Sequence, residues 1–313
     1  MKVVVVGLGV QGYKRRRVAG ADCIGSVDPV NKEAEFRSLQ DVPLDKYDAA
    51  LCCIPDAPKV ELLRYLLGNG KHVLVEKPLW AESRREIEEL QALARRNNTV
   101  CYTAYNHRFE PHYVRMRDLI ASGELGRIYS CRMFYGNGTA RLVRDSAWRD
   151  EGDGVLPDLG SHLLDTCRLW FPTVGEGFHV SAVNSFENRA PDHVVIANEA
   201  ETPRIELEMT LLMWRNHFTC DVLAEKGTAH ITSLCKWGPT TFVHRRRVLP
   251  SGRPPEEAVT LVQDDPTWEA EYAHFKCLCA QGTQTDLSGD LWLHKTLARL
   301  GTEARSSSHA RAS

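Results

Sequence analysis

The sequence has no long apolar run near its start, no excess of one charge and no paired cysteine spacing, and each absence removes a class of protein. The longest early apolar run is Val3–Val6. That is far too short for a signal-peptide core or a membrane span, so a cytoplasmic protein with no membrane partner is expected. With 39 basic and 41 acidic residues the formal net charge is −2. No overall field draws such a chain to nucleic acid. Ten cysteines are present, but none forms a Cys-x-x-Cys pair; Cys52 and Cys53 are adjacent, and Cys277 and Cys279 are two apart. Metal sites use paired spacings, so no metal is expected. A disulfide framework does not suit a chain of this length without an export signal. What remains is 313 residues with 43% hydrophobic content, ample for a large buried core and long enough for two domains.

The first hundred residues alternate strand-like and helical patterns. Lys2 to Val6 is a β-branched run of the kind buried on both faces of a sheet. Further strands are expected at Cys23–Val27, 48–54, 72–75 and 100–104. Helices are expected at Val10–Ala19, 59–67 and 82–96. This rhythm predicts a parallel sheet with helices on both faces. Beyond residue 105 the pattern changes. Helices are expected at 110–122, 158–171, 269–280 and 291–305. Strand-like stretches occupy 128–135, 180–184, 194–197, 205–214, 219–224, 229–232 and 241–248, and 141–155 reads as a loop. Few helices separate these strands, which predicts a mainly antiparallel sheet. The fold class is therefore α/β: a Rossmann parallel sheet over 1–105, then an α+β domain over 106–305 with an open sheet. The last helix is a candidate to pack back on the first domain, and 306–313 is expected to be a disordered tail.

Gly7-Leu8-Gly9-Val10-Gln11-Gly12 is a G-x-G-x-x-G that follows a strand and opens a helix, the context this motif requires. Gly7 permits the tight turn, Gly9 the approach of a pyrophosphate, and Gly12 close helix–strand packing. Val10 and Gln11 begin the helix whose free N–H groups suit phosphate. Asp28 ends the second strand about 20 residues on, where a carboxylate accepts from ribose hydroxyls and repels a 2′-phosphate. NAD(H) is favoured. The basic run Lys14–Arg17, read as a solvated face, leaves NADP(H) open. Ile54 and Pro55 end the third strand and are expected to line the cofactor cleft.

Two further features stand out. Glu76-Lys77-Pro78 ends the fourth strand, which by itself also describes a surface ion pair and a turn. In Asp158-Leu159-Gly160-Ser161-His162-Leu163-Leu164-Asp165 the three polar residues fall on one face of an otherwise apolar helix. A buried polar stripe must find partners or line a cleft.

Together with Asn106-His107-Arg108-Phe109, these motifs make the chain resemble the Gfo/Idh/MocA family of oxidoreductases. The likeness covers the nucleotide domain and the start of the second domain, and is only general after residue 175. It implies a substrate held between the domains, over the nicotinamide. It maps the family's catalytic lysine onto Lys77 and its aspartate and histidine onto Asp158 and His162. It assigns Asp165 and Arg108 to substrate, Arg108 from the segment near the nicotinamide, and Glu76 and Asn106 to the cofactor side. Trp148-Arg149 resembles a loop that reaches cofactor or substrate. One departure is Asp153, which interrupts a glycine run in Gly152-Asp153-Gly154.

The implied reaction is hydride transfer between NAD(H) and the carbinol or ketone carbon of a polyhydroxylated substrate: a sugar, sugar nucleotide or cyclitol. His162 suits a general acid/base near neutrality, Lys77 would steady a developing alkoxide, and Asp158 would orient either group. Which of His162 and Lys77 dominates is open at this point. Arg141, Arg144, Arg149 and Arg168 are candidates to meet an anionic group, and equally read as surface arginines. Two rivals remain: a non-catalytic NAD-binding regulator, and a dehydrogenase of a non-sugar small carbonyl compound. The apolar run ending Leu211-Leu212-Met213-Trp214 suggests a homodimer or homotetramer formed through the second-domain sheet.

Overall fold

The computed structural model describes residues 1–146 and 150–312, with side chains described through residue 306. The chain divides into two compact units. The first comprises Met1–Asn106 and Thr267–His294, and the second His107–Pro266 and Lys295–Ser313.

In the first unit five parallel strands run in the order β2-β1-β3-β4-β5. They are β1 Val3–Val6, β2 Cys23–Val27, β3 Ala49–Cys52, β4 His72–Glu76 and β5 Cys101–Ala104. The period of two divides each strand between two cores. Val4, Val6, Ala50, Cys52, Val73 and Val75 enter one core, closed by helix α2 Lys59–Gly68 and helix α3 Arg84–Arg96. Val3, Val5, Ala49, Leu51 and Leu74 enter the other. Tyr272 and Phe275 close this second core, with Ala19 at the end of helix α1 Val10–Ala19. Burial on both faces explains why β1 is a bare run of valines. Residues 267–294 were expected in the second domain. They fall in the first unit because Tyr272 and Phe275 are needed to cover that face. The basic run on α1 is also not uniformly solvated, since Arg15 is buried.

The second unit carries helix α4 Pro111–Ala121, strand β6 Ile128–Gly136 and a short helix α5 Ala140–Arg144. Helix α6 Ser161–Trp170 follows. The strands then run β7 His179–Asn184, β8 His193–Asn198, β9 Arg204–Thr210, β10 His217–Ala224, β11 Gly227–Thr232, β12 Thr240–Arg246 and β13 Glu256–Leu261. The eight-stranded sheet has the order β13-β12-β11-β10-β6-β9-β8-β7. Every pairing is antiparallel except β6 with β9. Alternating burial along β10, β11 and β12 shows that one face is covered. Trp170 Nε1 donates to the Tyr113 carbonyl at 3.0 Å, which ties α6 to α4.

Several expectations change in this unit. Residues 141–144, read as loop, belong to α5, with Ala140 and Val143 buried. The strand expected through Trp214 stops at Thr210, where Thr210 Oγ1 accepts from the Leu212 amide at 3.2 Å. Leu211 is then buried and Trp214 fully exposed, so the run is not one apolar face. Strand β13 carried no sequence signal because it is an edge strand with little burial. The last helix, α8 Ser288–Ala312, starts in the first unit and takes in 306–312, expected as a disordered tail. Asp153 interrupts its glycine run without undoing the turn: Gly152 and Gly154 keep positive φ. The Asp153 carboxylate accepts from Arg305 of α8, where Gly301 leaves room for it.

Candidate active site

Gly7 leaves β1 with φ of +87°, a conformation that favours glycine. A Cβ there would strike the Cys53 carbonyl, and one at Gly12 would strike the Gly7 carbonyl. Nothing lies within 4 Å of a Cβ at Gly9. The turn is therefore tight on its inner side and open at Gly9. Helix α1 starts at Val10 with no side-chain cap, and Val10 is 75% exposed. Its first N–H groups lack intrahelical partners and suit an anion such as a pyrophosphate. Ile54 touches the Gly7 position and Pro55 is exposed beyond it.

Asp28 braces the same turn. Its Oδ2 accepts from the Leu8 amide at 2.8 Å, and its Oδ1 accepts from the amides of Val30 and Asn31 at 2.9 and 2.8 Å. Burial works against the charge, but the amides of Asn31, Leu8 and Val30 outweigh it and hold the carboxyl below its ordinary range. The group is ionised and anchors the glycine turn before any ribose reaches it. These residues fit a dinucleotide: an open glycine, an uncapped helix start and a fixed carboxylate.

The end of β4 is held by residues that sequence reasoning missed. Arg15 Nε donates to Glu76 at 2.8 Å and its Nη1 to Glu271 at 2.6 Å. Burial opposes the guanidinium charge, yet Glu271 and Glu76 keep its pKa above the usual value. Its Cζ lies 4.3 Å from the Trp268 ring centre. Glu76, assigned to the cofactor side, is thus engaged within the unit. Lys59, 2% exposed, donates to Asp56 at 2.5 Å and to the Pro78 carbonyl at 3.0 Å. The backbone flanking the half-buried Lys77 is therefore fixed from both sides. Asn106 donates its amide to Thr267 Oγ1 at 2.7 Å, also inside the first unit.

In the second unit the polar stripe sits on an irregular helix. Leu156–Gly160, with Asp158, forms a π-helical turn before α6 begins at Ser161. The even spacing expected from Asp158 to His162 does not hold, because the wider turn changes the rotation per residue. Gly160 lies against Met209 of β9, whose side chain a Cβ there would displace. His162 is 8% exposed, and its ring stacks on His107 with centroids 4.0 Å apart and planes at 21°. Asp165 accepts from Arg108 Nε at 2.9 Å and from Nη2 at 2.5 Å, a fork that uses both carboxylate oxygens. Two of the residues assigned to substrate thus meet each other. Trp148 and Arg149 lie outside the described residues. Arg141 and Arg144 fall on α5, and Arg168 on α6. Lys236 was not anticipated: it lies 3.1 Å from His107 Nε2 and 2.9 Å from Tyr135 Oη.

Comparison with known proteins bears on the family and the fold. Residues 1–105 match the family model of an oxidoreductase family, NAD-binding Rossmann fold. Residues 113–230 match that of the GFO/IDH/MocA C-terminal domain. Among curated relatives, a glucose-6-phosphate 3-dehydrogenase of Bacillus subtilis is 27% identical over 190 residues, 54% of this chain and 53% of that one. A levoglucosan dehydrogenase of Pseudarthrobacter phenanthrenivorans is 30% identical over 161 residues, 50% of this chain and 40% of that one. The matches thus span about half or less of these relatives. Among solved structures, a levoglucosan dehydrogenase complex with NADH and levoglucosan aligns with a TM-score of 0.80, covering 98% of this chain and 97% of that one at 18% identity. An oxidoreductase from Agrobacterium radiobacter in complex with NAD+, L-tartaric acid and magnesium aligns at 0.77 and 15% identity, covering 98% and 97%. At these identities the structural likeness speaks to the fold.

Proposed function

Because the chain belongs to the GFO/IDH/MocA family of oxidoreductases, we propose that it moves a hydride between NAD(H) and the carbinol or ketone carbon of a sugar, sugar nucleotide or cyclitol. The nicotinamide, when bound, accepts or returns the hydride. The protein's own groups handle the proton. In oxidation His162 takes the hydroxyl proton, Lys77 donates a hydrogen bond to the same oxygen, and Asp158 balances the charge; reduction runs the same steps backward.

The observation that supports this reading most is the setting of His162. It is a buried imidazole four residues after a half-buried carboxylate and stacked on a second imidazole. Imidazole needs little tuning to serve as a base near neutrality. Lys77 suits its role because it leaves a strand end held by Lys59 and Arg15, so its ammonium starts from a rigid support. Arg108 keeps 30% of its side chain accessible while Asp165 holds its fork, so the pair can offer donors to substrate oxygens. The sugar class is favoured by the names of the two curated relatives. Self-association through the sheet of the second unit belongs to the same reading, and a solution mass of one chain would remove it.

The test is a screen of sugars, sugar nucleotides and cyclitols by NADH absorbance, followed by His162→Ala and Lys77→Ala. Each should lower kcat by about 10²-fold or more and leave NADH affinity nearly intact. The double variant should be little worse than either single one, because the two groups serve one proton transfer. Near-normal turnover in both single variants would end the assignment.

A further inference from the structure

The second unit holds a cation that the reaction as read above does not use. Lys236 lies in the turn Cys235–Trp237, after β11. Its ammonium donates to Tyr135 Oη and lies 3.1 Å from His107 Nε2. It also sits 5.3 Å from the Tyr135 ring centre and 4.7 Å from that of Trp237. An ammonium has three donors and no acceptor. His107 Nε2 must therefore accept, which places the proton of neutral His107 on Nδ1. His107 in turn stacks on His162.

We propose that Lys236 is a positioning residue for proton transfer: its charge sets the tautomer of His107 and keeps the stacked His162 ring in its unprotonated, basic form. Only the catalytic consequence rests on His162 being the acid/base; the electrostatic relation stands apart from it.

A second proton on His107 would turn Nε2 from acceptor to donor. The contact with Lys236 would be lost and two cations would face each other at 3.1 Å. A proton on His162 would add a cation one ring-stack away. Like charges at such range disfavour the charged form. Other charges near the group come from several elements. Glu110, at the start of α4, is buried and accepts from the Cys235 amide at 3.2 Å. Asp158 precedes α6, and Asp265 lies in the segment before helix α7 Thr267–Ala280. Tyr135 comes from β6, and Asp165 is already joined to Arg108. Burial holds the Lys236 ammonium down to about 8, while Asp265, Glu110 and Asp158 act to keep it charged. The lysine is exposed by area, yet its ammonium lies over the rings of Tyr135 and Trp237, so water screens its field only in part. Without the ammonium those three carboxylates remain and favour an imidazolium. Removing Lys236 must therefore move the imidazole titrations upward.

The experiment is a histidine-resolved NMR pH titration of the full chain, with the His107 and His162 signals assigned by their loss in His107→Asn and His162→Asn. Lys236→Met should raise the His162 midpoint by about one pH unit or more, and Lys236→Arg, which keeps the charge, should leave it in place. Lys236→Gln retains a donor for Tyr135 and removes only the charge. It should shift the midpoint as methionine does, and it serves where the methionine variant does not fold. An unmoved midpoint in the glutamine variant, or an equal shift in the arginine variant, overturns the proposal and leaves His162 as a candidate base. Full turnover in His162→Ala would instead remove the catalytic reading and leave the titration result standing.

Discussion

Replacing Arg15 with methionine should destabilise the first unit by about 3–5 kcal/mol, the usual cost of taking one partner out of a buried ion cluster. The magnitude follows from what is left behind. The side chains of Arg15 and Glu271 are 1% and 0% exposed, and that of Glu76 is 16% exposed. Water can reach part of Glu76 but none of Glu271, so the Glu271 carboxylate would lose its Arg15 partner where no water can replace it. Methionine fills much of the arginine stem's volume, so the loss reports charge rather than a cavity. Against a net stability of about 5–15 kcal/mol for a typical domain, the change is large enough to read directly. Removing both charges should cost far less than removing one. The double variant Arg15→Met/Glu271→Met should therefore recover at least about 2 kcal/mol of the deficit. The assay is urea unfolding of the full chain, with the transition of the first unit identified by its upward shift on adding NADH. A single-variant loss below about 1 kcal/mol, within the range of ordinary substitutions, would refute the argument. So would a double variant no more stable than the single one.

Two further predictions concern the glycine turn. Gly12→Ala drives a Cβ into the Gly7 carbonyl and should lower both stability and NADH affinity, whereas Gly9→Ala meets open space. Gly9→Ala should keep Tm and weaken NADH binding by about tenfold or more, about 1.4 kcal/mol; a Gly9 variant with normal affinity would show that no phosphate approaches there. For Asp28, the folded pKa lies below the ordinary carboxylate value, and the unfolded value is near ~3.9. Its stabilisation is therefore complete above the unfolded value and lost as pH falls through the folded one. The stability gap between wild type and Asp28→Asn should be constant from neutrality to about pH 5 and should close below about pH 4. A gap that widens on acidification would contradict the three amide hydrogen bonds to Asp28.

The amino-acid sequence by itself determined the parallel sheet, the dinucleotide turn and the mainly antiparallel second sheet. Each is written in local signals: a run of valines for a strand buried on both faces, three glycines at fixed spacing after it, and period-two alternation beyond residue 128. Lys77, Asp158 and His162 were marked by the family resemblance of their motifs, since Glu76-Lys77-Pro78 alone also describes a surface ion pair and a turn. Tertiary structure alone decided what surrounds them. Arg15 and Glu271 are 256 positions apart, and Lys236 meets His107 across 129, so no window of sequence relates them. The covering of the first sheet by α7, the edge strand β13 and the π-helical turn under Asp158 were hidden for the same reason. Periodicity records which side of an element is buried, while the partner that meets a buried charge is chosen by the path of the whole chain.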